Sequence, residues 1–343
     1  MRALYVGTLT PGSTSRMRAE KLRSLTPDVE WKWIDTDSII INSSRLWQSA
    51  AYRFQRGKAV RSLNAEVITQ LGSQVFDLTW VDKAIFLFPP TVQRLRQASL
   101  NLIHYTPDTA FHAGRSRYFE KTLALYDLLV TTKSFDVREY LRLAGRDTVH
   151  LTTQGFDASV HSARNGQAAR RKEAVFVGLA EPDRERCISV LLSRGIPVRL
   201  AGFGWDAVVR RYRSDSNLMF EGKAAFADDY ASLLSQAWIG LGLLSKRFPE
   251  QHTTRTFEIP ACGAVLATEK NEDTTRFFSP DEALFFDDFE NLADRITELF
   301  SPGHEQELAS IAERGRQRVI EDGRNYMTIL AAVLADPRIE PVL

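Results

Sequence analysis

Short apolar runs alternate with helical segments along almost the whole chain of 343 residues. Runs such as residues 3–6, 174–177 and 238–244 are continuously apolar, which is typical of parallel strands buried on both faces. Strands of this kind need helices on both sides of their sheet. Because the chain is long for a single core, the pattern predicts an α/β protein with two Rossmann-like domains, each built on a parallel sheet.

Breaks in this alternation mark the predicted domain boundaries. A polar and basic stretch at 158–172 predicts a linker between an N-terminal domain at 1–157 and a C-terminal domain at 173–322. Residues 323–343 then form a C-terminal tail, which is expected to be helical because an amphipathic segment covers residues 326–334.

Composition excludes several classes of protein. A formal net charge of +1 gives no strong field for nucleic acid, so we expect no nucleic-acid partner. The two cysteines, Cys187 and Cys262, indicate a reducing compartment and exclude a disulfide framework. No apolar run reaches the roughly 18 residues of a membrane span, and the N-terminus reads as a short strand rather than a signal peptide. We therefore expect a cytoplasmic protein, whose oligomeric state the sequence leaves open.

The stretch from residue 238 to residue 268 carries the densest candidate chemistry. It reads as a strand at 238–244, a polar loop at 245–254, a short helix and a second strand at 264–268. Thr254 and Thr256 are candidate N-caps, and Pro260 fits best in the first turn of the helix. The loop and the helix N-terminus should therefore lie at the carboxyl end of a parallel sheet, where open α/β folds bind ligands.

Charged residues in this stretch suit a nucleotide. Lys246, Arg247 and Arg255 add positive charge to the free N–H groups of the helix N-terminus, and both favour a phosphate. Glu258 lies in the first turn, where its carboxylate can accept two hydrogen bonds from a ribose diol. Glu250 precedes it with seven residues between them. The alternative is a surface helix with two solvated carboxylates.

Two segments of the first half have both a structural and a functional interpretation. Gly7, Gly12 and Ser13 follow the first strand, where they form either a simple turn or a ligand-facing loop. The basic helical segment at 45–61 is either a solvated helix face or a contact for an anionic acceptor or a membrane surface.

Acidic and imidazole side chains follow two strands of the first half. Asp35 and Asp37 form a D-x-D pair, which either binds a metal ion and a sugar diphosphate or merely ends a strand. The stretch at 104–112 begins in the last residues of the strand at 101–105 and contains His104, Asp108 and His112. This polar cluster is either part of a reactive site or a Pro-Asp turn that caps a helix.

Several phrases, in their order and spacing, resemble one branch of the GT-B glycosyltransferases. This branch is the CgeB-like, or spore-maturation-type, group, which is related to the family 4-like enzymes. The spacing of Glu250 and Glu258 also resembles the E-x7-E motif of retaining GT-B enzymes. The phrases are WVDK at Trp80, HYTPD at His104, YDLLVTTK at Tyr126, VFVG at Val175 and TRTFEIPACGA at Thr254.

The resemblance implies a GT-B fold, with two facing Rossmann-like domains and a final helix that crosses back to the first. It also implies that the C-terminal domain binds a nucleotide-sugar donor and the N-terminal domain an acceptor. If the roles known in this group apply to the matching residues here, Glu258 would hold the ribose of the donor. Arg184 and Arg255 would bind its diphosphate. Glu250 is the counterpart of the first motif glutamate. The other residues expected on the donor side are Gly178, Lys223, Lys246, Thr254 and Thr256.

The implied reaction is transfer of a hexosyl group from a nucleoside-diphosphate sugar to an acceptor hydroxyl, as in polysaccharide or glycoconjugate biosynthesis. Positioned cations and N–H groups can stabilise a departing diphosphate, so neither a cofactor nor a metal ion is expected. A retaining reaction needs no side-chain base, whereas an inverting one needs a base such as Asp108 or His104. The alternatives are an epimerase or hydrolase on the same scaffold and a non-catalytic nucleotide-sugar-binding subunit.

Overall fold

The computed structural model describes residues 1–83, 85–112, 114–164, 170–223 and 225–342. The chain divides into two compact units, Met1–Thr153 with Tyr326–Leu343 and Gln154–Asn325. The chain thus joins the second unit slightly before the sequence-based boundary at residue 157. The reason is a bond within that unit, in which the N–H of Phe156 donates to the carbonyl of Arg324 (3.1 Å). Residues 165–169 of the predicted linker lie outside the described residues.

The first unit is built on a sheet of six parallel strands in the order β2-β1-β3-β4-β5-β6. The strand order reverses between β1 and β3, which makes that pair the switch point of the sheet. The strands are β1 (Arg2–Gly7), β2 (Glu30–Asp35), β3 (Phe76–Asp82), β4 (Ser99–Thr106), β5 (Leu128–Thr131) and β6 (Val149–Leu151).

Helices connect these strands and cover both faces of the sheet. The basic segment at 45–61 spans two of them, which meet at a turn around Gln55 and Gly57. The helices are α1 (Thr14–Leu25), α2 (Thr36–Ile41), α3 (Arg45–Phe54), α4 (Lys58–Leu71), α5 (Pro89–Gln97), α6 (Arg117–Glu120) and α7 (Val137–Ala144).

The second unit contains another six-stranded parallel sheet, in the order β12-β11-β10-β7-β8-β9. Its strands are β7 (Arg171–Val177), β8 (Val198–Ala201), β9 (Leu218–Phe220), β10 (Ala237–Leu241), β11 (Val265–Glu269) and β12 (Leu284–Phe286). Its helices are α8 (Pro182–Ser193), α9 (Asp206–Arg211), α10 (Ala227–Gln236), α11 (Arg255–Ala261), α12 (Glu272–Phe277), α13 (Phe289–Phe300) and α14 (Glu305–Glu321).

After the second unit the chain returns to the first. Helix α15 (Tyr326–Leu334) packs against α1. Beyond it, Asn101 of β4 exchanges two hydrogen bonds with the backbone of Glu340, at 2.9 and 3.1 Å. The tail from Tyr326 onward is therefore part of the first unit, whereas residues 323–325 belong to the second.

Helix α11 begins earlier than its proline predicts. The Thr253 N–H donates to Thr256 Oγ1 (3.1 Å), and Thr254 occupies the N-cap position, so the helix starts at Arg255. Pro260 therefore lies near the end of the helix, not in its first turn as predicted. Without an N–H, Pro260 cannot donate to the carbonyl of Thr256 four residues earlier, and the helix ends one residue later, after Ala261.

The central strands of both sheets are buried along their length, as continuous apolar runs require. The predicted fold class, two Rossmann-like α/β units with parallel sheets, is confirmed. Among the described residues, no helix combines the length and the apolar composition needed to cross a membrane.

Candidate functional site

The site lies at the switch point of the second sheet, where β7 and β10 are neighbours. Strands β8 and β9 continue the sheet on one side of this pair, and β11 and β12 on the other. Open α/β sheets bind ligands at the carboxyl ends of the strands at such a point. The structure brings three of the predicted donor residues together here: Gly178 directly after β7, Arg184 on α8 and Arg255 on α11.

Two guanidinium groups share one aromatic ring at this point. The Cζ atoms of Arg184 and Arg255 lie 5.6 and 5.4 Å from the centre of the Phe176 ring. Both side chains also donate to the Leu243 carbonyl, at 3.4 and 3.3 Å. The ring and the carbonyl thus hold two like charges side by side.

The charge of this arginine pair is only partly balanced. Arg184 pairs with Glu181 (2.9 Å), whereas Arg255 has no carboxylate partner among the described residues. Burial, and next the charge of Arg255, lower the pKa of Arg184 to about 10. Within the described part of the chain neither Nε atom has a hydrogen-bond partner. The pair therefore offers donors and unbalanced positive charge to an anion.

A close approach of two backbone segments fixes the end of β7. Gly202 has a φ of +137°, and a Cβ atom at this residue would lie 1.9 Å from the Gly178 carbonyl oxygen. The same oxygen accepts a hydrogen bond from Trp205 Nε1 (2.8 Å). A side chain at Gly178 would also crowd Phe176 (2.9 Å) and Arg255 (3.3 Å). Glycine at these two positions therefore keeps the surroundings of the arginine pair open.

Three carboxylates also belong to this site, and the sequence singled out only one of them, Glu250. Glu181 accepts a hydrogen bond from the Ser245 hydroxyl (2.9 Å) in addition to its ion pair with Arg184. Glu269, the last residue of β11, forms an ion pair with Lys246. The charge of Glu250 acts on Arg184 and favours its protonated form. Lys246 is therefore already neutralised by a neighbour, unlike Arg255.

Glu258 lies on α11 with 4% of its surface exposed. Its Oε2 accepts from the Tyr230 hydroxyl (2.9 Å), and its Oε1 is 3.7 Å from His161 Nε2. The His161 Nδ1 accepts from the Asp157 N–H (3.1 Å), which assigns the ring proton to Nε2, facing Glu258. Burial, and next the charge of Glu258, hold the pKa of Tyr230 well above its usual value. The sequence gave no signal for Tyr230 or His161, since both lie far from Glu258 along the chain.

The remaining predicted donor residues take different positions. Thr254 occupies the N-cap position of α11 without a side-chain capping bond, and the buried Thr256 accepts from the N–H of Thr253. Lys223 is exposed after β9 and, within the described residues, forms no hydrogen bond or ion pair. The structure thus brings the two threonines to the site but gives Lys223 no contact there.

The predicted loop of the first unit is a tightly packed turn. A Cβ atom at Gly7 would lie 2.8 Å from the Tyr5 ring and 2.9 Å from the Asp82 side chain. Gly12 has a φ of 80°. Ser13 caps α1, and its hydroxyl accepts from the Arg16 N–H (3.2 Å). These contacts give all three residues a structural role at the switch point of the first sheet.

The two candidate bases of the first unit have different environments. His104 is 2% exposed and stacks on Phe119, with ring centres 4.1 Å apart. Its burial lowers its pKa to about 3. Asp108 instead pairs with Lys83 (2.8 Å) near the surface. Desolvation alone would raise its pKa, but the charge and hydrogen bond of Lys83, together with the charges of Lys133 and Arg18, outweigh this, and the pKa is lowered. His104 therefore belongs to the core and does not face an acceptor, whereas Asp108 is accessible.

The D-x-D pair stabilises local structure. Asp35 caps α2 by accepting from the Asp37 N–H, and it also accepts from the Leu9 N–H, both at 3.0 Å. Asp37 accepts from Thr10 (3.2 Å) and Tyr52 (3.1 Å). The described residues contain no group of three or more His, Cys, Asp or Glu side chains arranged to hold a metal ion. Metal independence stays a prediction.

Solved structures with the same architecture cover nearly the whole chain. HepE of Anabaena, in complex with UDP and glucose, is 12% identical over 97% of this chain and 98% of its own, with a TM-score of 0.65. Sucrose-phosphate synthase of Thermosynechococcus elongatus is 13% identical with the same coverage and a TM-score of 0.65. The OtsA apo structure is 12% identical over 99% of this chain and 100% of its own, with a TM-score of 0.64. The chain has the GT-B fold.

One family model, described as glycosyl transferase-like, matches residues 184–335 of this GT-B protein. The matched segment begins at Arg184 and includes Arg255 and Glu258, so it contains most of the site described above. Curated protein sequences give no significant match.

Proposed function

We propose that this GT-B protein is a glycosyltransferase that uses a nucleoside-diphosphate sugar as donor and an acceptor hydroxyl as the second substrate. One observation carries the proposal: Arg184 and Arg255 lie side by side at the switch point of the second sheet, and within the described residues Arg255 has no carboxylate partner. The glycosyl transferase-like match over residues 184–335 supports it. So do the HepE complexes with UDP and with UDP-glucose, because they show that a protein of this fold binds such ligands.

The arginine pair would neutralise the donor diphosphate. In the transfer step the bond between the anomeric carbon and the phosphate oxygen breaks, and a bond to the acceptor oxygen forms. Guanidinium groups stabilise the charge that develops on the departing diphosphate. In the retaining course that we propose, the departing phosphate oxygen takes the acceptor proton, so no side-chain base is needed. We also propose that the transferred sugar is a hexose and that the chain is related to the CgeB-like branch.

Glu258 would hold the donor ribose. A carboxylate has about four acceptor positions, and Tyr230 and His161 engage only part of them. Glu250 acts on Arg184 through its charge and is assigned no proton transfer in the retaining course. Asp108 of the first unit would be the base only if the reaction inverts configuration.

A thermal-shift screen tests the donor class. We expect at least one of UDP-, GDP- and TDP-sugars to raise the melting temperature, because a ligand that binds the native state stabilises it. A rise with CMP-sugars alone, which have a single phosphate, would contradict the diphosphate donor. Glu258→Gln keeps an acceptor for Tyr230 and should weaken donor binding by about 1.5–3 kcal/mol, the scale of hydrogen bonds to a charged group.

Glu258→Ala is the less suitable variant. The sequence predicts that the fold tolerates it, but the structure shows that it would leave the buried Tyr230 hydroxyl without a partner. We therefore expect a stability loss of roughly 1–3 kcal/mol in addition to weaker binding. If Glu258→Gln binds the donor as well as the original protein does, the ribose role is wrong. Products formed from donor alone would indicate hydrolysis or epimerisation instead.

Activity should persist in excess EDTA. The arginine pair supplies the positive charge that a metal ion would otherwise bring to the diphosphate. The double variant Asp35→Ala with Asp37→Ala should leave donor binding nearly unchanged, while the lost cap of α2 costs about 1 kcal/mol of stability. Transfer activity with and without EDTA and added Mn²⁺ checks this. Activity that disappears in EDTA, returns with Mn²⁺ and needs both aspartates would contradict it.

A further inference from the structure

A basic pocket of about 700 Å³ lies on the first unit, outside the site described above. The turn between α3 and α4 forms one wall, and residues 115–121 form the other. We call it the basic pocket. Its charged lining residues are Arg53, Arg56, Arg115, Arg117 and Lys121.

Among the described residues that line the basic pocket, none is acidic. Arg115 pairs with Glu120 (3.0 Å), with 67% of the arginine side chain still exposed. The other four cations have no carboxylate partner within the described part of the chain. Converging cations repel one another, and an anion in the pocket removes that repulsion. The charge pattern therefore indicates an anionic ligand.

Specific contacts hold the two walls in place. Gln55 has a φ of 52°, which is uncommon for a residue other than glycine, and its side-chain amide donates to the Arg115 carbonyl (2.5 Å). The buried Ser116 hydroxyl donates to the Ile85 carbonyl (2.7 Å). Tyr118 packs edge-on against Phe88, with ring centres 4.9 Å apart. On both sides of the pocket, the cations therefore belong to backbone segments that these contacts hold in place.

An aromatic ring orients two of the arginines. The guanidinium carbons of Arg53 and Arg56 lie 5.4 and 5.5 Å from the centre of the exposed Phe54 ring. A guanidinium held in this way is suited to paired hydrogen bonds with phosphate oxygens. Because five cations line one pocket, the arrangement favours a phosphate or diphosphate, which can carry more than one negative charge, over a single carboxylate.

Both walls follow the carboxyl ends of strands in the first sheet. Helices α3 and α4 come after β2, and residues 115–121 come after β4. Open α/β sheets bind ligands at this edge, and the volume falls within the roughly 300–1,000 Å³ of small-molecule sites. We propose that the basic pocket binds a phosphate or diphosphate ester carried by the acceptor. The assignment of this phosphate to the acceptor substrate rests on the proposed function, whereas the binding of a phosphate in the pocket does not.

The test is a calorimetric titration of the full chain with inorganic pyrophosphate. Arg53→Ala with Arg117→Ala should weaken binding at least tenfold, because it removes one cation from each wall. The matched control is Arg45→Ala with Arg61→Ala, which removes two exposed arginines of α3 and α4 outside the pocket. It should change the affinity less than twofold. Each titration is repeated with Arg255→Ala, so that binding at the arginine pair of the second unit is separated.

A sedimentation assay distinguishes the two sources of the phosphate. Binding to phosphatidylglycerol vesicles but not to phosphatidylcholine vesicles, lost in the pocket variant, identifies a lipid head group. Pyrophosphate binding without sedimentation identifies a dissolved phosphate ester. Pyrophosphate affinity that is unchanged in the pocket variant, or reduced equally in the control, would overturn the proposal. If pyrophosphate binds as expected but no nucleotide sugar binds, the proposed function fails and the basic pocket stands.

Discussion

Arg255→Ala should reduce the turnover of a nucleotide sugar by roughly 100- to 1,000-fold, the usual effect of removing a donor that stabilises developing negative charge. Within the described residues no carboxylate pairs with Arg255, so its charge is available to the diphosphate. Binding of a nucleoside that lacks phosphates should change little. Arg255→Lys should restore part of the activity, because an ammonium group keeps the charge but lacks the planar pair of donors.

Substitutions at two other arginines of the second unit test whether the loss of turnover is specific to Arg255. Arg186→Ala removes an arginine from the exposed face of α8, where it lies near Glu290 (3.8 Å), and should leave turnover within about twofold because surface ion pairs contribute little. Arg184→Ala should lower turnover too, but it leaves the Glu181 carboxylate without its partner and also destabilises the second unit. Equal losses of nucleoside and nucleotide-sugar binding in Arg255→Ala would show that its effect is structural.

Arg18→Met should destabilise the first unit by about 3–5 kcal/mol, because it leaves the Asp82 carboxylate buried without its ion pair. Arg18 is fully buried and donates two hydrogen bonds to Asp82, at 2.8 and 3.0 Å. The Tyr5 hydroxyl donates to the same carboxylate (3.0 Å). The guanidinium carbon also lies 4.7 Å from the centre of the Tyr105 ring. This ion pair therefore connects α1, β1, β3 and β4.

Hydrogen exchange of the β1 and β3 amides measures this loss in the first unit alone. Arg16→Ala is the matched control on the same helix: its partner Glu20 is exposed, so we expect a change of roughly 0.5 kcal/mol or less. The double variant Arg18→Met with Asp82→Asn should lose less than the two single losses combined, since it leaves no unpaired charge. A loss in Arg18→Met no larger than that in Arg16→Ala would contradict the argument.

Sequence patterns within short stretches of the chain were sufficient to predict the fold class and part of the candidate site. Buried parallel strands and their helices have periodicities that show within about ten residues, so both sheets could be predicted. Arg255 and Glu258 were found in the same way, because a strand, a polar loop and a short helix follow one another directly along the chain. Thr254 was among the candidate N-caps and does occupy that position, but Pro260 was wrongly placed in the first turn, since it does not reveal the bond between Thr253 and Thr256.

Charge balance and accessibility depended on residues that are distant in sequence. Lys246 and Arg255 are both cations of one short stretch, yet only Lys246 is paired with Glu269. His104 lies close to Asp108 in sequence, but Phe119 buries it in the core. The basic pocket likewise forms because the turn at Gln55 meets the loop at Arg115. The sequence by itself determined which segments become strands and helices, because that choice depends on near neighbours. Only the tertiary structure decided which charges are neutralised and which side chains reach solvent, because both depend on contacts between distant segments.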